Sequence, residues 1–356
     1  MKTAADISNL IENGLISGAD LSGADLTGLS LEGVVFLNAD LREARLPGAK
    51  LAGCLFVASN MTGARLDGAD LTNCRFDRVN LSAAEAPESV WIHTVLEHSD
   101  LAGSDCRSSN FSQSLLSNCS LAGANFRGAV MADAAICSCQ LENTDFSGAD
   151  LYRWTAPDND LSRCRFTGAN LEMAILKGAI LDGVSWTGCR LIQAVMSGAS
   201  LKGADFRGLD LSKTSFAGSV LTGAGFGNIQ GECPSFYEAR ADGADFSHGA
   251  LYAANFSKAL LDGADLTGLN AELSLFCGAS CRQAVFVDAR LPYADFAHAS
   301  LEGADFSRAE MEGVNLHGVE KSKIRWDGAN LTGVRETDAE LLAAERWCSP
   351  LRGVAS

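Results

Sequence analysis

The chain has 356 residues, with 44 Asp and Glu against 28 Lys and Arg and a formal net charge of −16, which argues against a nonspecific binder of nucleic acid or of an anionic membrane surface. Apolar residues make up 47% but aromatic ones only 7%, beside 36 Gly and 6 Pro, so any large core must be built from Leu, Ala and a few Phe. No apolar run approaches the roughly 20 residues that a membrane span needs.

The first expected element is a short helical cap over residues 1–13, with Ile7, Leu10 and Ile11 on one face and Gly14 as its stop. No basic patch followed by an apolar stretch precedes it, so a cytoplasmic location is expected, with a leaderless export route left open. From Gly18 the chain reads GADLS GADLT GLSLE GVVFL NADLR. A large apolar residue, here called the centre, returns every five positions: Ile16, Leu21, Leu26, Leu31, Phe36 and onward to Trp326 and Leu331. That makes about 64 pentapeptides in unbroken phase. Two residues before each centre sits a small residue, such as Ala19, Ala24, Cys54 or Ser59; just before it Asp or Asn is favoured, and Gly recurs two after.

A period of five is neither that of a helix nor that of an ordinary strand. It describes a coil with corners: each pentapeptide supplies a short extended side and a turn, with the centre and the small residue inward and the other three outward. Gly, Asn and Asp suit the turns.

The pattern resembles the pentapeptide-repeat family, whose A(D/N)LXX motif stands here as Ala19-Asp20-Leu21-Ser22-Gly23 and again at Ala149-Asp150-Leu151. The resemblance implies an all-β solenoid, a right-handed quadrilateral parallel β-helix with four pentapeptides per coil, hence about 16 coils over residues 14–335 and a length of about 75 Å. Residues 20 apart then stack on one side. One side reads Phe36, Phe56, Phe76 and later Phe216 to Phe296; the opposite one carries Phe126, Phe146, Phe166, Trp186 and Phe206; the two between are mostly Leu. Three zones of weak repeats, around Trp91 and His93, Tyr152 and Trp154, and Tyr237, are expected to bulge and are candidate local sites. Trp154 stands where a small residue belongs.

At the far end Thr337-Asp338-Ala339-Glu340 reads as a capping box that opens a helix through about Trp347, making 336–356 a capping helix and tail. Leu341, Leu342 and Trp347 are available to cover the open end, or to form a homodimer contact as the resemblance implies for some members.

The sequence sets no catalytic constellation apart from the repeat. Six Cys (Cys54, Cys74, Cys119, Cys139, Cys164, Cys189) occupy small inward slots and two more (Cys106, Cys281) are centres, so they read as buried apolar groups. All five His fall in outward slots on scattered coils. No enzyme activity, cofactor or metal is expected.

What remains for function is the exterior. On the first Phe side, slots that the motif would make polar hold Val35, Leu37, Leu55, Val57, Val95, Leu115, Ile175 and Val195, a candidate apolar interface. The first reading is therefore a non-enzymatic scaffold of bacterial type that binds a protein partner. The resemblance also offers inhibition of a type II topoisomerase such as gyrase by DNA mimicry, with Asp25, Asp105, Asp145, Asp205, Asp245, Asp265 and Asp305 as the acidic face, although Arg45, Arg65, Arg165 and Arg325 interrupt that column. Duplex DNA carries about one charge per 1.7 Å, far more than this chain provides over such a length. A third reading, again from the resemblance, is an accessory or effector of a secretion system. None of the three calls for direct contact with nucleic acid.

Overall fold

A computed structural model describes residues 13–346. The expected N-terminal helix, apart from Asn13, and Trp347 lie outside the described residues.

Local chemistry makes the coil. The Asp or Asn before each centre turns its side chain along the backbone: Asp70 Oδ1 accepts the N–H of Thr72 at 3.0 Å, and Asn110 Oδ1 that of Ser112 at 2.9 Å. These Asx turns bend the chain at the corner. The residue two after the centre then takes a left-handed conformation, φ 65° at Gly103 and 55° at His93. Between corners the extended stretches bond to the next coil: Leu41 N–H donates to Asn60 C=O at 2.6 Å, and Asn60 N–H to Ala39 C=O at 2.9 Å. Every paired residue meets the one 20 positions on, in parallel, as Phe36 meets Phe56. This is the parallel four-sided β-solenoid that the repeat implies.

The chain forms two compact units, residues 1–215 and 216–356. In the first, strands β1 (Leu15–Ser17), β2 (Val35–Leu37), β3 (Leu55–Val57), β4 (Arg75–Asp77), β5 (Val95–Glu97), β6 (Leu115–Ser117) and β7 (Ala135–Cys137) make one seven-stranded parallel sheet along the first Phe side. The second holds β8 (Gln230–Glu232) paired with β9 (Ala250–Tyr252) and one helix, α1 (Ala339–Arg346).

The expected count of about sixteen coils needs correction. Coils bridged to a neighbour on all four sides run over residues 20–159 in the first unit and 220–319 in the second, seven and five, about twelve in all. Between residues 140 and 215 successive coils are bridged on three sides, as by Asp150↔Asn170, Ile175↔Val195 and Ser185↔Asp205. The open sides there share one feature: a Cys in the small inward slot is followed, one coil on, by something larger, Cys139 by Asn159, Cys164 by Val184 and Cys189 by Leu209. At the first of them the Asn159 side chain takes the place of the backbone partner, its Oδ1 accepting the Cys139 N–H at 3.1 Å. Helical caps at both ends also need correction: among the described residues there is one helix, at the C-terminal end.

The core follows the ladder reading. Phe36, Phe56 and Phe76 stack with centroids 4.6 and 4.8 Å apart, and Phe126, Phe146, Phe166 and Trp186 stack on the opposite side. In the second unit the Phe216–Phe236–Phe256–Phe276–Phe296 ladder meets Phe226 and Phe246 edge-to-face, for instance Phe246 against Phe256 at 5.4 Å and 87°. Offset stacks along each side and edge-to-face contacts across the lumen both suit the ring quadrupole.

Trp154 does not bulge. It is fully buried, and Thr155 keeps its register with Ala135 and Ile175. The reason is an exchange of sizes: the centre two residues on is Ala156, so the indole occupies space that a large centre would take and touches Phe146 at 5.4 Å. Trp91 is buried as well, stacked 5.1 Å from Phe111.

Candidate functional site

Three exterior features carry chemistry or contact potential. The first is the apolar column on the seven-stranded sheet. Val35 and Leu55 are register partners, as are Leu37 and Val57, and Val95 and Leu115. Ile175 and Val195 bridge each other on the same side. Stacking leaves most of these half-buried, while Ile175 is 42% exposed. Arg75, in β4, interrupts the column and pairs with Glu97 at 2.6 Å. All the named residues therefore share one side of the first unit.

The second is the acidic column. Asp25 pairs with Arg45 in the ladder, and Asp245 with Asp265, so the expected alignment is present within each unit. Its charges are largely spent locally. Arg107 makes a two-pronged contact with Asp105 at 2.9 and 2.7 Å, and Arg207 holds Asp205 at 2.8 Å. These arginine hydrogen bonds hold both carboxyls below the usual carboxylate range. Asp145 pairs with Arg127 and Asp305 with Arg325. Asp25 Oδ1 accepts from the Thr27 hydroxyl and amide, and Asp245 and Asp265 accept from the amides of Ser247 and Thr267.

The third was not expected. Four of the five His keep to outward slots, but α1 folds back over His317 and buries it. His298 Nε2 lies 3.1 Å and His317 Nε2 3.2 Å from Glu345 Oε2, near the end of α1. His317 Nδ1 accepts the Asp338 N–H at 3.2 Å. Asp338 is itself the N-cap, its Oδ1 accepting from Glu340 and Leu341, while the Thr337 hydroxyl accepts from Gly318 N–H. The expected capping box does not form: the N-cap is Asp338, one residue on, and Thr337 instead binds Gly318. Leu342 is half-buried but Leu341 is 49% exposed, and the centre Leu331 remains 44% exposed. What α1 covers is the His317 corner more than the final core layer.

The thiols behave as small core groups for the most part. Cys54, Cys74, Cys106, Cys119, Cys164, Cys189 and Cys281 are buried, Cys137, Cys139 and Cys277 half-buried, and Cys233 exposed. Burial pushes the Cys106 thiol up to about 12 and that of Cys189 up to about 11, away from the reactive thiolate form. Of the remaining irregular-repeat residues, His93 is exposed, Tyr152 donates its hydroxyl toward Met173 sulfur at 3.4 Å, and Tyr237 accepts from Lys258 Nζ at 3.0 Å. No helix among the described residues is long and apolar enough to cross a membrane.

A solenoid with a filled lumen and its chemistry confined to flat sides and corners is a repeat protein of the surface-presenting kind. The sequence matches Pentapeptide repeats in eight copies, over residues 19–56, 59–87, 114–153, 160–183, 187–223, 235–268, 242–279 and 279–318. The chain belongs to the pentapeptide-repeat family. Among solved structures it is similar to HetL, a pentapeptide repeat protein involved in heterocyst differentiation regulation in the cyanobacterium Nostoc sp. strain PCC 7120. That likeness has 18% identity over 95% of this chain and 98% of HetL, with a TM-score of 0.24. It is also similar to full-length QnrB1, a plasmid-mediated fluoroquinolone resistance protein, at 20% identity over 56% of this chain and 92% of that one, with a TM-score of 0.26. Rfr23 from the cyanobacterium Cyanothece 51142 matches at 18% identity over 39% of this chain and 88% of its own, with a TM-score of 0.15. No curated protein matches the sequence.

Proposed function

We propose that the protein is a non-enzymatic scaffold that binds a protein partner through the apolar column of its first unit. The observation that carries this reading is the in-register outward run of Val35, Leu55, Val95 and Leu115, flanked by Leu37 and Val57, on the seven-stranded sheet. The repeat motif makes those slots polar, and apolar side chains there do nothing for the lumen. Apolar side chains repeated in register at outward slots that the motif makes polar are a mark of a contact surface, here in two stretches on either side of Arg75. The flat, laddered backbone beneath holds the strip rigid, which lowers the entropy lost on binding. Replacing Leu55, Leu115 and Ile175 by Asp tests it: capture of partners from the native host should be lost while the fold persists.

The topoisomerase-inhibitor reading draws on acidity and on family membership. The arrangement of the acidic column weighs against it, since Asp105, Asp145, Asp205 and Asp305 each carry an arginine partner within the chain. A gyrase supercoiling assay without inhibition at micromolar protein removes it.

A further inference from the structure

We propose that His298, His317 and Glu345 form a site for a divalent transition-metal ion of the zinc class, which ties α1 to the last coils of the second unit. One ring nitrogen from each histidine and a Glu345 carboxylate oxygen lie within 4.8 Å of one another. The two nitrogen-to-oxygen separations, 3.1 and 3.2 Å, are close to the edge of a tetrahedron with bonds of about 2.0–2.1 Å, which is about 3.3 Å. Two imidazoles and one carboxylate are a ligand set that zinc accepts, with the fourth position left to water or an incoming group. The repeat does not call for this cluster. His298 and His317 occupy neighbouring corner slots on successive coils, and Glu345 arrives from a helix that leaves the repeat altogether.

Position matters as much as composition. His317 is buried beneath α1, while His298 and Glu345 are half-exposed, which gives an ion an entry path. The cavity beside the cluster is lined by Asn315, Arg335, Glu336 and Leu341. The metal-free state has its own order. Because Nδ1 of His317 accepts the Asp338 N–H, the free ring carries its proton on Nε2 and donates it to Glu345. An ion takes the Nε2 lone pair, the proton moves to Nδ1, and the Asp338 contact breaks. Ion binding and that contact are therefore alternatives: the ion would clamp the end of α1 while releasing its first turn.

The test uses the full, reduced chain titrated with Zn2+ by calorimetry and with Co2+ by visible absorption. The expected result is one ion per chain at micromolar affinity, with the absorption of four-coordinate cobalt and no thiolate charge-transfer band. His298→Ala and Glu345→Gln, both at half-exposed positions that leave the lumen intact, should each weaken binding at least about ten-fold. Zn2+ should raise the melting temperature of the wild type and not of either variant. Amide exchange at Asp338 should quicken when the ion binds. Absence of saturable binding at 100-fold molar excess, binding that both variants leave unchanged, or a thiolate band in place of the nitrogen–oxygen spectrum would overturn the proposal. In the first case the cluster is a hydrogen-bonded latch only.

Discussion

At nearly every corner of the coil one residue sits at positive φ, and there the identity of a single side chain has a calculable cost. A non-glycine residue in the left-handed region loses roughly 1 kcal/mol to the crowding of its Cβ. Gln113 (φ 58°) is exposed at such a corner. Gln113→Gly should therefore stabilise by about 0.5 kcal/mol once the greater freedom of Gly in the unfolded chain is subtracted, read as a rise in urea midpoint. A destabilised variant would mean that the corner strain is relieved by the backbone.

The carboxylates give a pH signature at the same scale. Arginine hydrogen bonds lower Asp105 and Asp205 in the folded state. A depressed folded pKa contributes stability that is present above the unfolded value of about 3.9 and lost as pH falls through the folded value. The urea midpoint should be flat above about pH 5 and drop below about pH 4. Asp205→Asn keeps an acceptor for the Arg207 amide but loses the ion pair. Its midpoint should lie slightly below the wild type at neutral pH, and the gap should close as pH falls below about 3.9 and through the lowered folded value of Asp205. Much of this was legible in the sequence, because the Asp slot and the left-handed slot repeat with the motif. The pairing was not: Arg107 and Arg207 reach back two residues to Asp105 and Asp205, a contact that slot preference does not reveal.

One scale up, the pentapeptide tolerates an exchange between its two inward slots. Trp154 in the small slot and Ala156 at the centre fill together what a small residue and a Leu fill elsewhere. Trp154→Ala alone should cost about 3–5 kcal/mol, since it leaves a cavity beside Phe146. Ala156→Phe alone should also destabilise, because the lumen is already full. The double variant restores the motif and should recover most of the loss, an interaction well outside additivity. Calorimetric melting of all three decides it; two additive losses would show that the slots fill independently. The sequence flagged Trp154 as a breach of the pattern and suggested a bulge. It did not weigh the neighbouring Ala156, whose small size was the signal that the ring could turn inward.

The helix α1 shows a different limit. Its existence was legible from the apolar residues and the acidic start, but its docking was not. His298 and His317 lie 19 apart, one short of the coil period, which places them at adjacent corner slots of successive coils. Only the return of Glu345 makes them a cluster, and no periodic signal encodes where a terminal helix folds back.

For the molecule as a whole, much of the net charge of −16 belongs to the fold, because the repeat uses Asp to build its corners and arginines answer several of them. The fold was legible almost throughout, since every fifth residue points into the lumen of its own unit. The coil count was overestimated because repeats continue through residues 140–215 where laddering is incomplete. The exterior is where the sequence says least, as an outward slot is free to vary. An apolar column is visible there only by contrast with the polar motif.

The most direct measurement of the scaffold account is quantitative affinity capture from the native host with three baits: wild type, the triple variant Leu55→Asp, Leu115→Asp, Ile175→Asp, and a control with three Asp substitutions at Thr62, Ser82 and Ala102 on a neighbouring side. All three should show the same circular dichroism and melting within a few degrees. The account predicts that a discrete set of proteins binds the wild type and the control and is depleted at least about ten-fold on the triple variant. Equal recovery on all three baits, with the fold intact, would contradict it.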